Sequence, residues 1–275
     1  MGCKSYLSFL ISGLLIVINL SCGGNLYEPM SNKTSHAAII EEIKNLVNDL
    51  RFTEAITLIE GSTNLVITDR NEKMLMASAY AGACGLTFAE VFESLSTAAG
   101  SPMYFAMSAF TSKVVDPPKC YTAQLWIERI GAAGVRSTSE NIAMFLIGFA
   151  KVGTYLRYRA DTDATTGIGD GVVDAGYDSC DNTDMPRNEI KQVLTGIGLM
   201  IENIAALGTN LSGDMSGEIT DIETSCASVG LTCEITDPTA ISDADADFFR
   251  DAIKSDRTNE VGIENCDPLD ISCCP

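Results

Sequence analysis

Residues 137–160 read STSENIAMFLIGFAKVGTYLRYRA, and the fold class turns on this stretch. Ser137 and Glu140 stand three apart, the spacing of a capping box, in which the hydroxyl and the carboxylate each accept from the other residue's backbone N–H. From Ile142 to Ala150 the sequence is apolar on every side of a 3.6-residue repeat. A helix with no face for water is predicted, and such a helix lies in the middle of a bundle. The apolar run is far too short to cross a bilayer. A partner helix is predicted at 190–207, IKQVLTGIGLMIENIAAL, where Ile190, Val193, Leu194, Ile197, Met200, Ile201 and Ile204 recur at helical spacing. Gly196 and Gly198 lower its helix propensity, and close approach of another backbone is the expected compensation.

Toward the N-terminus the same periodicity continues. Residues 35–50 place Ile39, Ile43, Leu46, Val47 and Leu50 on one face, and shorter helices are predicted at Thr53–Glu60 and Asn71–Ala83. Thr87 with Glu90 opens another, and Ser101 before Pro102 opens the next. Asp116, Pro117 and Pro118 are expected to break the chain ahead of a helical run at Ala123–Ala133. No run alternates as a strand does. The predicted class is all-α: an irregular helical bundle or a short TPR-like array of helical hairpins, with a disulfide-stapled C-terminal tail.

The first residues have another character. Lys4 precedes an apolar run from Tyr6 to Leu20, followed by Ser21, Cys22, Gly23 and Gly24. A positive start, a short apolar core and small residues before a cysteine describe an export signal. Residues 1–21 are read as the signal peptide, Cys22 as the lipidated residue and 22–34 as Cys and linker. A helical domain is expected over 35–210 and a Cys-rich acidic extension over 211–275. Met1-Gly2-Cys3 also suggests an N-myristoyl start, but Tyr6 stands where that motif needs Ser or Thr, and the apolar run would be unexplained.

The net charge is −19, from 18 basic and 37 acidic residues. A phosphate backbone is gripped by clustered Lys and Arg, so nucleic acid is not an expected partner. Beyond Cys3 and Cys22 there are eight cysteines: Cys84, Cys120, Cys180, Cys226, Cys233, Cys266, Cys273 and Cys274. In an exported chain an even set reads as disulfides, with 105 possible connectivities. Cys226 and Cys233 are close enough to staple a turn. The adjacent Cys273 and Cys274 are expected to reach separate partners such as Cys180 or Cys266, because neighbouring Cα atoms lie about 3.8 Å apart. No CxxC pair occurs and His36 is the only histidine, which disfavours zinc.

Chemistry concentrates in residues 161–184, DTDATTGIGDGVVDAGYDSCDNTD, with seven aspartates and no base. Asp161, Asp163, Asp170 and Asp174, among Gly167, Gly169 and Gly171, are the ligand types a calcium ion uses. The spacing departs from an EF-hand: glycine falls at Gly167, and Val172 stands where a bidentate Glu belongs. The alternative is a solvated acidic loop stapled by Cys180. No GxSxG, Walker, HExxH or dinucleotide motif appears. Trp126, Tyr121, Tyr155 and Tyr158 are read as core in preference to a binding groove. In the tail, Ser242 is expected to cap a helix whose Phe248, Phe249, Ala252 and Ile253 face the bundle.

NDLRFTEAITLIE (48–60) is similar to the junction inside a tetratricopeptide hairpin, and NEKMLMASAYAGACGLTFAEVF (71–92) looks like the next one. With the Asp-rich loop and the Gly-containing helix, the chain resembles uncharacterised helical, TPR-like lipoproteins of delta-proteobacteria and spirochaetes. In such proteins a relaxed lipobox tolerates Asn19, and Gly23 after the cysteine, in place of aspartate, implies the outer membrane. The resemblance implies a lipid-anchored envelope protein, held at the membrane through Cys22, that acts as a scaffold or adaptor for a protein partner, with no catalytic activity. The alternatives are a calcium-stabilised structural or surface lipoprotein and a carboxylate-based envelope hydrolase.

Overall fold

The structure, a computed structural model, describes residues 34–63, 65–87, 91, 101–204, 224, 232–255, 261–264 and 274. The chain divides into two compact units, Met1–Ile39 and Ile40–Pro275. Of the first, residues 34–39 are described: a turn and the opening of the first helix. The signal peptide, Cys22 and most of the linker therefore lie outside the described residues. So do most of the helix expected after Thr87, the boundary expected near 210, and Cys226, Cys266 and Cys273.

The described elements are all helical: α1 (His36–Asn48), α2 (Phe52–Gly61), α3 (Arg70–Cys84), α4 (Pro102–Ser108), α5 (Pro117–Glu128), α6 (Thr138–Ala160), α7 (Arg187–Asn203), a 3-10 turn (Pro238–Ala240) and α8 (Asp243–Lys254). No strand occurs among the described residues. Helix α6 is the axis of the fold. Every residue from Ala143 to Arg157 is buried, about four turns without a wet face. The capping box forms as the sequence requires, with Glu140 Oε2 accepting from Ser137 N at 2.6 Å. Arg70 of α3 pairs with the same carboxylate, and this partner, ahead of the Ser137 N–H, holds Glu140 down to about 2.

Four helices pack on α6: α3, α4, α5 and α7. Helix α3 packs more extensively on α5 than on α2, and the described helices form an all-helical bundle around α6. Its closest neighbour, α7, meets it at paired glycines. A Cβ on Gly148 would come within 2.6 Å of the Gly196 carbonyl, and one on Gly196 within 2.7 Å of the Gly148 carbonyl. The propensity lost at Gly196 is offset by backbone-to-backbone packing. Gly198 serves a different contact, against the carbonyls of Cys233 and Ile235.

Two local expectations are corrected. Pro117 and Pro118 do not break the chain; they open α5, which ends at Glu128, well short of Ala133. Proline has no N–H to lose in a first turn, and its fixed φ suits that position. Phe248 does not face the bundle. Successive helical residues diverge by 100°, so Ala246, Phe249 and Ile253 turn inward while Phe248 remains 42% exposed.

Candidate functional site

The aspartate loop begins where α6 stops, and two buried charged side chains, Arg157 and Asp161, position it by binding its backbone. Arg157, fully buried in the last turn of α6, donates to the Gly167 carbonyl at 2.6 Å. Asp161, 1% exposed, accepts from the N–H groups of Asp170 at 2.8 Å and Gly171 at 2.9 Å. Burial raises the Asp161 pKa, while the two N–H groups and Arg157 oppose that shift. Gly169 sits so close to the Asp161 carboxylate that a side chain there has no room, which explains one glycine of the loop.

The four acids singled out from the sequence do not converge. Asp163 Oδ1 accepts from Thr165 N, Thr166 N and Thr166 Oγ1, bonds that lower its pKa. Asp170 accepts from Val172 N, and Asp174 accepts from Thr162 N. Asp163 and Asp170 each close a local turn, the ordinary use of aspartate in irregular backbone, while Asp161 and Asp174 tie distant parts of the loop together through backbone N–H groups. Among the described residues no group of three His, Cys, Asp or Glu side chains is placed to hold a metal ion.

The second half of the loop is organised by a residue that the sequence did not single out for this role, Arg250 of α8. Its guanidinium is 4% exposed and donates to the carbonyls of Ser179 at 2.6 Å, Met185 at 2.7 Å and Asp181 at 3.4 Å, and to Asn182 Oδ1 at 3.1 Å. Residues 179–185 thus wrap one cation. Lys254, a turn further along α8, reaches Asp178 at 2.7 Å. A lone arginine in a short amphipathic helix, at the position after a buried phenylalanine, was the available signal.

Between α7, α8 and this loop lies a groove of about 580 Å³, lined among others by Arg187, Asp247, Phe248, Asp251 and the bonded pair Cys180–Cys274. Asp247 sits between two guanidinium groups, 2.7 Å from Arg187 Nε and 3.3 Å from Arg250 Nε. The other described bond, Cys84–Cys120, joins the end of α3 to the first turn of α5 and is sealed against Thr154 of α6, whose hydroxyl lies 3.6 Å from each sulfur. Cys233 is disulfide-bonded as well.

The core also holds a charge. Lys151, on the apolar stretch of α6, is completely buried, and its Nζ donates to Gln124 Oε1 at 2.7 Å and Thr195 Oγ1 at 2.6 Å. The ring of Tyr121 lies 5.3 Å away. Gln124 in turn donates to the carboxylate of Glu128 and the carbonyl of Thr236, which fixes the direction of its amide. Desolvation brings Lys151 down to about 7, opposed by Glu128. This cage ties α5, α6 and α7 together. Its one visible signal was a lysine inside FLIGFAKVGTYL.

The remaining aromatic candidates divide. Tyr155 is buried, Trp126 stacks with its face 4.0 Å from the Arg129 guanidinium, and Tyr158 is exposed. No protein-family model, no curated protein and no solved structure matches this chain.

Proposed function

We propose that this chain is a lipid-anchored protein of the cell envelope, held at the outer membrane through Cys22, that works by binding a protein partner. The observation that carries the reading is the state of its cysteines. All five among the described residues, Cys84, Cys120, Cys180, Cys233 and Cys274, are disulfide-bonded, the pattern of a chain that matures in an oxidising compartment. Joined to an apolar run ending at Ser21-Cys22, that pattern favours export with acylation. The rigid bundle around α6 and the charged groove beside α8 suit a binding role better than a catalytic one. The loop aspartates already serve as backbone acceptors, and Lys151 is enclosed by its own cage.

Labelling with a fatty-acid analogue, followed by membrane fractionation, tests the reading. The wild type should carry label and sediment with outer membrane. Cys22→Ala should lose the label and the membrane association while keeping its disulfides. Unchanged fractionation of Cys22→Ala would overturn the anchor, and crosslinking in native membranes that recovers no protein neighbour would overturn the binding role.

A further inference from the structure

We infer that Cys180–Cys274 is a thiol–disulfide exchange site for a dithiol reductant, with attack directed at the sulfur of Cys274 and Cys180 departing as the thiolate. The inference rests on position and charge. Both cysteines are partly exposed and line the groove beside α8. An attacking thiolate needs in-line access to a sulfur, and a groove open to solvent supplies it, whereas a bond packed among helices does not.

The two sulfurs are unequal. Cys180 lies between Ser179 and Asp181, whose carbonyls both accept from the Arg250 guanidinium. A buried cation is therefore fixed against the backbone on either side of it. Each backbone N–H also meets a carboxylate: that of Cys180 donates to Asp178 at 3.0 Å, which Lys254 neutralises at 2.7 Å, and that of Cys274 donates to Asp251. Positive charge stabilises a departing thiolate and negative charge disfavours it, so the bond breaks with its electron pair going to Cys180. The loop carrying Cys180 does not depend on the disulfide for its shape, because Arg250 also binds Met185 and Asn182, and Lys254 binds Asp178. The thiolate stays in place, ready for reoxidation.

The exchange balances as follows in chemical terms. The reductant's thiolate bonds to Sγ of Cys274, the Cys180–Cys274 bond breaks, and Cys180 leaves as thiolate. The reductant's second thiol loses its proton and attacks its own sulfur in the mixed disulfide, releasing Cys274 as thiolate. The reagent departs as a disulfide, two electrons having passed to the protein, and the two protons it lost end on Cys180 and Cys274. The outcome is release of the covalent tie between Cys274 and the aspartate loop.

The full, oxidised chain would be treated with dithiothreitol without denaturant, quenched by alkylation at intervals and mapped by peptide mass spectrometry. A second arm uses limiting glutathione and acid quench to trap the mixed disulfide. Cys180 and Cys274 should become alkylated at least 10-fold faster than Cys84 and Cys120, and the glutathione adduct should fall on Cys274. Opening of both bonds at one rate, or an adduct on Cys180, would overturn the inference. The trapping arm needs no variant and so does not depend on a mutant folding. An inert bond would leave acylation of Cys22 untouched, so the two readings fail separately.

Discussion

The Cys84–Cys120 bond and the Cys180–Cys274 bond are alike as constraints and opposite as surroundings. By chain entropy, closing loops of 36 and 94 residues restricts the unfolded chain by about 4 and about 5 kcal/mol respectively. The first bond sits among α3, α5 and α6, where both sulfurs are buried. The second faces a groove bordered by Arg187, Asp247 and Asp251. What a disulfide contributes to stability is thus separable from how readily it can be reached. The core relies on apolar packing plus its bond. The rim has few apolar side chains and substitutes a buried arginine, a salt bridge and its bond.

Removing the core bond should do the most damage. Cys84→Ala with Cys120→Ala should lower the unfolding free energy by about 4 kcal/mol in urea titration, since no polar network replaces it. A loss under 1 kcal/mol would mean that the bond adds nothing to helices already packed.

On the rim the corresponding lesion is Arg250→Gln. It leaves the buried carbonyls of Ser179 and Met185 without their donor, at a cost of about 3 kcal/mol, while Cys180–Cys274 remains formed. Should the variant unfold at the wild-type urea midpoint, the bond alone would be holding the loop.

A pH titration compares core with rim more gently. Lys151 binds its proton less tightly folded, near 7, than unfolded, near 10.4. Between those values the unfolded chain carries the extra proton, so stability should rise with pH from about 7 toward 10, by on the order of 1 kcal/mol per unit. Above about 10 the buried hydroxyl of Tyr80, raised to about 12 by burial and then by Glu60, begins to act in the opposite sense. Lys151→Met should flatten the rise, and a rise that persists in this variant would place its source elsewhere.

The parts legible in the sequence are those set by local chemistry. Ser137 with Glu140 and Ser242 opened the helices they were expected to open, because capping involves only neighbours. The all-round apolar run after Asn141 became the central helix, and Gly196 found the backbone contact that its propensity cost implied. Hidden parts depend on residues far apart in the chain. Nothing near Cys84 marks Cys120 as its partner, and no local pattern tells that Arg250 will bind carbonyls about 70 positions earlier. The aspartates are a related case: abundance suggested a shared ligand, whereas the bonds they make, Asp163 and Asp170 to nearby N–H groups and Asp174 back to Thr162, depend on how the loop is folded. The prolines of α5 resemble breakers in the sequence because, without the third dimension, a helix start and a loop look alike there.

The most direct test is a non-reducing peptide map of the protein purified from a host that exports it. Cys84 should be recovered linked to Cys120 and Cys180 to Cys274, with Cys233 also bonded. Free thiols at these positions would contradict the proposal of an exported protein, and Cys84 joined to any cysteine of the tail would contradict the packing of α3 on α5.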